Sequence, residues 1–487
     1  MNRLKIHKYL PSPLILLAFL VSFIALYAFA SPILKDADIG WHILSGDLIR
    51  EIGAVPMHDS WSFSGSTQTW YNISWLWDVI ISFVHEKFGV QGLFVFTVAC
   101  PALVVALLLA SLRERIELGI NALILVGMIS TYCMLEFATG RPQTIGMFFA
   151  LFFHHILHSS RKNINSRMVF LLPFLMILWV NTHGSFLAGF IIIGAFGLEA
   201  IYSKNRAWVQ KLLLIGILCI VAALVNPYGI HIITAVTCTL NGVVEKYLVE
   251  WHPFMFGKEK GSSLWLLIFL LFGNFRGSKA TIADKILVVV WLLAMFFSVR
   301  NLAMLVVLGA PYIAANLVIY NQKYSKNSKS LAWLNDSRFS PIIMAVVPLL
   351  IICGYYLLPV LGTEHYLDKA RSSPLPAINY VVQNYSGKRV LNDYDYGGRI
   401  IYETKGKLPI FTDGRAGTVY SKKILSDFLA FINLSDGWQK TIEPYNVDVI
   451  MLGNGRDFVK DYKRGLYHDM WEKTFSDEVA SVYVRKN

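Results

Sequence analysis

The stretch PLILLAFLVSFIALYAFASPILKDADIGWH runs from Pro13 to His42. Its first part, Pro13 to Ala30, carries no charge. It is long enough to cross a bilayer, which takes about 17–25 apolar residues. Arg3, Lys5 and Lys8 precede it, as they would precede a signal peptide. Ser31-Pro32-Ile33 is a poor cleavage site, however, so the run reads as an uncleaved first span. The residues that follow are unusual for a membrane exit. Asp36, Asp38, Trp41 and His42 stand within a few positions of the bilayer. They make either a solvated loop, a metal site or the working end of an enzyme.

Composition favours a membrane setting. The chain has 487 residues, of which 55% are hydrophobic and 16% charged. Mean hydropathy is +0.50. Soluble domains carry about 25% charged residues, so these values describe a polytopic membrane protein. A net charge of +12 would suit nucleic acid, but most Lys and Arg fall in short loops between apolar runs. The bilayer, and not nucleic acid, is the implied partner. The five cysteines are scattered, mostly inside apolar runs, and form neither a metal-binding spacing nor a disulfide framework.

Apolar runs recur at 13–30, 90–111, 119–135, 142–158, 168–180, 184–202, 211–225, 263–275, 286–299, 302–320 and 341–360, eleven in all. Ser74 to Phe88 is also apolar but contains Asp78, His85 and Glu86, which suits a helix lying along the surface. Basic clusters alternate with poorer loops: Arg113/Arg115, Arg161/Lys162/Arg167, Lys204/Arg206/Lys211, Arg276/Lys279/Lys285 and Lys323/Lys326/Lys329/Arg338. Placing these in the cytoplasm puts the amino terminus inside and the segment after Leu361 outside. The polar clusters then collect on the outer face. They are Asp36/Asp38, Arg141-Pro142-Gln143, Asn181-Thr182-His183-Gly184, Asn226-Pro227-Tyr228-Gly229, Glu250-Trp251-His252 and Arg300-Asn301. The cytoplasmic loops carry little but Lys and Arg. Each cluster alone has a plain explanation, as a turn, a cap or a snorkelling side chain. Together they mark one face as the chemical one, because ionisable groups at membrane depth are functional by default.

Two pieces lie outside the bundle. Loop 31–89 is rich in tryptophan (Trp41, Trp61, Trp70, Trp75, Trp77), and Asp38 to Arg50 reads as a helix ended by Gly53-Ala54-Val55-Pro56. Such a loop suits an interfacial aromatic belt, a lipid headgroup site or a sugar platform. The tail, 362–487, is far more polar. Val390-Leu391, Ile400–Tyr402, Ile410–Thr412, Val447–Met451 and Ala480–Val484 look like strands; Ile424–Phe431 and Trp438–Glu443 look helical. The expected division is a membrane module over 1–361 and a small extracytoplasmic α/β domain over 362–487. No G-x-G-x-x-G or P-loop is present, so a nucleotide site has no support.

The pattern resembles the GT-C superfamily of membrane glycosyltransferases, in the bacterial form that uses polyprenyl-phosphate sugars. The matching residues are Asp36-x-Asp38-x-x-Trp41-His42 with Gly46, and Gly53–Pro56 with Asp59 and Ser62. Arg141-Pro142-Gln143, Asn181-x-His183-Gly184, Asn226–Gly229 and Arg300 follow. Asn392-Asp393-Tyr394-Asp395-Tyr396-Gly397-Gly398 and Thr412-Asp413-Gly414-Arg415 complete the set. The resemblance implies a GT-C fold of about eleven transmembrane helices, a first external loop with two surface helices, and a catalytic acid in that loop. Asp38 or its neighbour Asp36 matches that acid. The Asp-Glu pair of the mannosyltransferases and the W-W-D signature of oligosaccharyltransferases are not present, so the acceptor class does not carry over.

Sugar transfer from a lipid phosphate needs a base for the acceptor hydroxyl, cations for the departing phosphate and a groove for the lipid. Asp38 suits the base. Arg141 and Arg300 suit the phosphate, with His42, His183, Asn181, Trp41 and Glu250 as further substrate-binding candidates. Asp36 and Asp38 can alternatively ligate Mg2+ or Mn2+ through oxygen. The expected partners are a polyprenyl-phosphate sugar and an extracytoplasmic acceptor. Rival readings are a flippase or transporter for lipid-linked saccharides, a non-catalytic scaffold, and a different extracytoplasmic transferase. A transporter predicts inverted repeats, and none is visible.

Overall fold

A computed structural model describes residues 13–30, 36–116, 120–239, 252–255, 260–273, 278, 280–324 and 374–486. The chain divides into two compact units. One comprises Met1–Ala30, Val95–Asn226 and Glu250–Thr363; the other comprises Ser31–Phe94, Pro227–Val249 and Glu364–Asn487.

The first unit is a helical bundle. Ten of the expected spans coincide with helices: Pro13–Phe29, the later part of Trp75–Arg115, Ile120–Met134, Gln143–Ser160, Leu172–Val180, Leu187–Tyr202, Arg206–Ala223, Lys260–Phe272, Ile282–Phe297 and Leu302–Tyr324. The run at 341–360 lies outside the described residues. Among the described residues, four helical stretches have both the length and the apolarity to cross a membrane: Trp75–Arg115, Gly184–Tyr202, Arg206–Ala223 and Val299–Val318. Their burial differs in a way that orders the bundle. The helix starting at Leu302 is central and packs against Gln143–Ser160, Ile282–Phe297, Lys260–Phe272 and Ile120–Met134. Arg206–Ala223 is peripheral and exposes Leu213, Leu214, Ile217, Ile220 and Val221, an apolar face suited to lipid.

Within the bundle, the helices also hold a largely buried polar cluster of His, Asp, Glu and Arg. His154 and Asp284 are both buried there, with Nε2 2.7 Å from Oδ1. Arg115 donates to Nδ1 of the same ring at 2.6 Å. Arg161 pairs with Glu199 at 2.7 Å, and Glu199 also accepts the Ala283 N–H at 2.8 Å. Asp284 completes a capping box with Thr281 at the start of Ile282–Phe297. These residues are far apart in sequence, so spacing alone does not reveal that they meet.

The second unit has a four-stranded sheet, β1 (Val390–Asn392), β2 (Val449–Gly453), β3 (Trp471–Ser476) and β4 (Ala480–Arg485), in the order β1-β2-β4-β3. β1 and β2 are parallel, with Val390 opposite Val449; β4 is antiparallel to both neighbours. Ile410 adds a parallel bridge to Val390 and another to Ser62. The expected strand Ile410–Thr412 is therefore reduced to bridges. The expected strand Ile400–Tyr402 lies instead in the helix Gly397–Thr404. Ile400 and Ile401 are fully buried there, and tertiary packing overrides their β propensity. β3 and the helices Leu375–Asn384 and Asp457–Lys463 have no counterpart in the sequence reading.

The tryptophans of the loop form part of this unit's interior. Trp41, Trp61 and Trp70 belong to one hydrophobic core with Val390, Ile400, Phe411, Tyr420 and Ile450. This corrects the reading of these three as interfacial anchors. The helix Ile39–Ile52 ends at Gly53, whose φ of 68° closes it in the left-handed conformation. The amphipathic stretch from Trp75 runs helically to Phe88, and Gly89 breaks it with φ 64° and ψ −168°.

Candidate active site

Asp38 is the N-cap residue of the helix Ile39–Ile52 and is 9% exposed. Its own N–H is donated to Oδ1 of Asp36 at 2.9 Å. Its Oδ1 accepts the Trp41 indole N–H at 3.2 Å. Trp41 stacks on His42, with ring centroids 3.7 Å apart. The four motif residues of the loop thus form one cluster at one helix end.

Two glycines explain how that helix can approach its neighbours so closely. A Cβ on Gly46 would strike the carbonyl of Asp78. A Cβ on Gly40 would strike the carbonyl of Gly398. The first contact lays Ile39–Ile52 against the helix from Trp75 and delivers Asp78 to His42. Oδ1 of Asp78 lies 2.6 Å from Nδ1 of His42, and Oδ2 accepts from Asn72 Nδ2 at 2.7 Å. Asn72 Nδ2 also donates to Ser45, and the Asn72 N–H is donated to the Tyr228 hydroxyl at 2.7 Å. His42 and Asp78 are 3% and 0% exposed. Facing a carboxylate, Nδ1 of His42 carries a hydrogen, and the ring is held in one orientation. Asp78 was read from sequence only as a mark of a surface helix. An acid three residues into an apolar helical run was the signal for it.

A second polar centre joins the loop to the tail. Arg415 is fully buried; it donates to Asp59 at 2.7 Å and grips Asp413 through Nε at 2.9 Å and Nη2 at 2.7 Å. Its guanidinium lies 4.8 Å from the Trp61 ring centroid and 4.9 Å from that of Trp70. Tyr420 donates its hydroxyl to Asp413 at 2.7 Å. Burial pushes Asp59 up, but the Arg415 guanidinium and the hydrogen bonds from Ser62 and the Trp61 N–H together outweigh that push and hold it below the usual carboxylate value. Burial likewise opposes charge on Arg415, yet Asp413 and Asp59 hold its pKa well above the ordinary value. This is a fixed structural centre, with every charged group committed to a partner.

In the helical unit, the remaining candidates lie on turns between helices. Arg141 precedes the helix Gln143–Ser160, and Arg300 lies in the turn Val299–Asn301. Asn181 spends its amide on the carbonyls of Ile177 and Val225, both at 2.8 Å. His183 caps the turn Gly184–Phe186, with Nδ1 accepting from Ser185 N–H at 3.2 Å and lying 2.6 Å from Ser185 Oγ. The Ser185 backbone N–H fixes Nδ1 as an acceptor, so the neutral ring carries its hydrogen on Nε2. Gly146 draws these turns together: a Cβ there would sit 3.0 Å from His183 Nδ1 and 3.5 Å from Met304 Cε. The turns bearing Arg141, His183 and Arg300 thus share one end of the bundle. Glu250 lies outside the described residues.

Among the described residues, no group of three or more His, Cys, Asp or Glu side chains converges to hold a metal. Asp36 and Asp38 each accept an N–H, from Asp38 and from the Trp41 indole respectively.

No protein-family model matches the chain, and no curated protein matches it in sequence. In three dimensions it is similar to the archaeal oligosaccharyltransferase AglB from Archaeoglobus fulgidus, solved in complex with an inhibitory peptide and a dolichol-phosphate. The TM-score is 0.61 at 11% identity, covering 90% of this chain and 69% of that one. The Archaeoglobus fulgidus oligosaccharyltransferase tethered to an acceptor peptide containing the NVT sequon gives 0.58 at 12% identity, covering 97% and 74%. Its apo form gives 0.57 at 11% identity, covering 90% and 69%. The chain shares the overall fold of these structures and has a helical bundle with a small C-terminal sheet domain.

Proposed function

We propose that the protein is a membrane glycosyltransferase that moves a sugar from a polyprenyl-phosphate donor to an acceptor outside the cytoplasm. The observation that carries this reading is the GT-C fold over nearly the whole chain, with Asp36, Asp38, Trp41 and His42 gathered at one helix end. The solved relatives are named with a dolichol-phosphate and an acceptor peptide, which supports a lipid-linked donor and a separate acceptor here. In this reading residues 1–361 are the membrane module. Residues 362–487 form a domain on the outer side of a bacterial inner membrane, and the amino terminus is cytoplasmic.

Asp38 takes the proton of the acceptor hydroxyl as its oxygen attacks C1. The bond from C1 to the phosphate oxygen breaks, and the phosphate leaves with the electron pair. One displacement inverts C1. The departing phosphate needs cations, and Arg141 and Arg300, on turns at one end of the helical unit, are the residues proposed for it, with His183 as a further substrate-binding group. His42 is proposed to hydrogen-bond a sugar or acceptor hydroxyl. No step is routed through a metal.

The test is transfer by purified wild type and Asp38→Asn from polyprenyl-phosphate sugars to a membrane extract. Wild type transfers and the variant keeps only a small residual rate; equal transfer by both would sink the assignment of the base.

A further inference from the structure

We infer that the tail domain is part of the reaction centre, and that Gly414 is a positioning residue for Asp38. This rests on the reading of Asp38 as the base. Three contacts carry it, all within the second unit. A Cβ on Gly414 would fall on Oδ1 of Asp38, so the carboxylate lies directly on the backbone of the T-D-G-R turn. A Cβ on Gly398 would fall on the carbonyl of Ala37, the residue before Asp38. Gly40 and Gly398 meet backbone to backbone where the helices Ile39–Ile52 and Gly397–Thr404 cross. The end of the loop helix that bears Asp38 is therefore seated between two tail motifs, Gly397-Gly398 and Thr412–Arg415.

The chain's topology explains why these tail residues stand there. Asn392-Asp393 and Thr412-Asp413 follow the parallel-bridged segments at Val390 and Ile410. Asn392 ties the two together, donating to the Thr412 carbonyl at 2.7 Å and accepting the Phe411 N–H at 2.9 Å. The carboxyl ends of neighbouring parallel segments form the crevice where α/β sheets place their functional groups. The tail contributes the backbone of that crevice, and the loop contributes the acid. Arg415, next to Gly414, fixes the turn by its buried grip on Asp413 and Asp59. No side chain larger than hydrogen fits at 414 without moving the carboxylate.

The experiment is a double-mutant cycle between Gly414→Ala and Asp38→Asn in the full-length protein in detergent, with donor kcat and KM as readouts. Gly414→Ala is expected to lower kcat about a hundredfold with KM little changed, as an ångström of misplacement does. In the Asp38→Asn background the same substitution is expected to change the residual rate by no more than about twofold, because effects carried by one contact do not add. Gly455→Ala, where a Cβ meets nothing within 4 Å, serves as the control with wild-type kcat. Should Gly414→Ala not fold, Gly398→Ala carries the same test through Ala37. Additive losses would overturn the inference in favour of a merely structural glycine. Asp38→Asn inactive with Gly414→Ala and Gly398→Ala at the wild-type rate would also overturn it, while leaving the base assignment standing. An active Asp38→Asn would overturn the base assignment itself.

Discussion

Nδ1 of His42 and Oδ1 of Asp78 lie 2.6 Å apart, although the residues are 36 positions apart in sequence, and both side chains are buried. The pair fixes the imidazole in one orientation and one tautomer. Asp78→Asn removes the acceptor that holds the ring hydrogen on Nδ1. The expected result is a loss of about 1–3 kcal/mol of stability and a fall in kcat larger than the loss of folded protein explains. Melting in detergent and rate per folded molecule, measured on the same preparation, check both. A variant that melts lower yet transfers normally per folded molecule would leave the pair a structural one.

Arg415 supports a sharper prediction about charge. Arg415→Met leaves Asp59 and Asp413 buried without their cation, which costs about 3–5 kcal/mol. The melting midpoint should drop accordingly, and the conservative Arg415→Lys should recover only part of it, because one ammonium cannot grip Asp413 through two nitrogens.

The same centre sets a pH dependence. Asp59 lies below its ordinary value of 3.8 in the folded protein: burial pushes it up, and Arg415 with the hydrogen bonds from Ser62 and the Trp61 N–H outweigh that push. A depressed folded pKa stabilises the fold above the unfolded value and ceases to do so as pH falls through the folded one. The wild-type melting midpoint should therefore decline as the pH is lowered from about 5 to about 3. In Arg415→Met the largest opposing influence on the burial of Asp59 is gone and only the hydrogen bonds from Ser62 and the Trp61 N–H remain, so its pKa rises and the acid-side decline should be weaker than in wild type. A melting series across that range in both proteins decides the matter.

Gly89 offers a test of the backbone. Its φ of 64° and ψ of −168° fall in a region that only glycine occupies easily. Gly89→Ala should cost about 1–3 kcal/mol. Gly194→Ala, in a helix where a Cβ meets nothing within 4 Å, should instead stabilise by about 0.5–1 kcal/mol. Equal melting of the two variants would show that the break at Gly89 is not strained.

The His154–Asp284 pair belongs to the bundle's packing. His154→Ala leaves Asp284 and Arg115 buried without the ring that joins them, and melting should fall by about 3–5 kcal/mol. Transfer per folded molecule should stay at the wild-type level. A selective loss of transfer would give the pair a role in the reaction.

Most helices were legible because period and apolarity are local properties; the run from Leu187 to Tyr202 declares itself without help from any neighbour. Asp38, Trp41 and His42 were legible for the same reason, being within one turn of each other. Asp78 was not, because its meaning depends on Gly46 letting two helices touch. Ile400–Tyr402 misled because β-branched residues were weighed without the glycines before them. The tryptophans misled most. Near a membrane an exposed indole and a buried one have the same sequence neighbourhood, and only Arg415, 356 residues from Asp59, decides between them.

The ion pair between Asp59 and Arg415 also orders events in time. Trp61 and Trp70 leave the ribosome with the first loop, but the core they enter contains Phe411, Ile450 and Tyr483. β4, which lies between β2 and β3, is made after both of them. The second unit therefore cannot complete its core until β4 has been made, and until then Trp61 and Trp70 lack part of the packing that buries them. Ribosome-stalled chains that end before β4 should still be accessible to protease between Asp59 and Trp70.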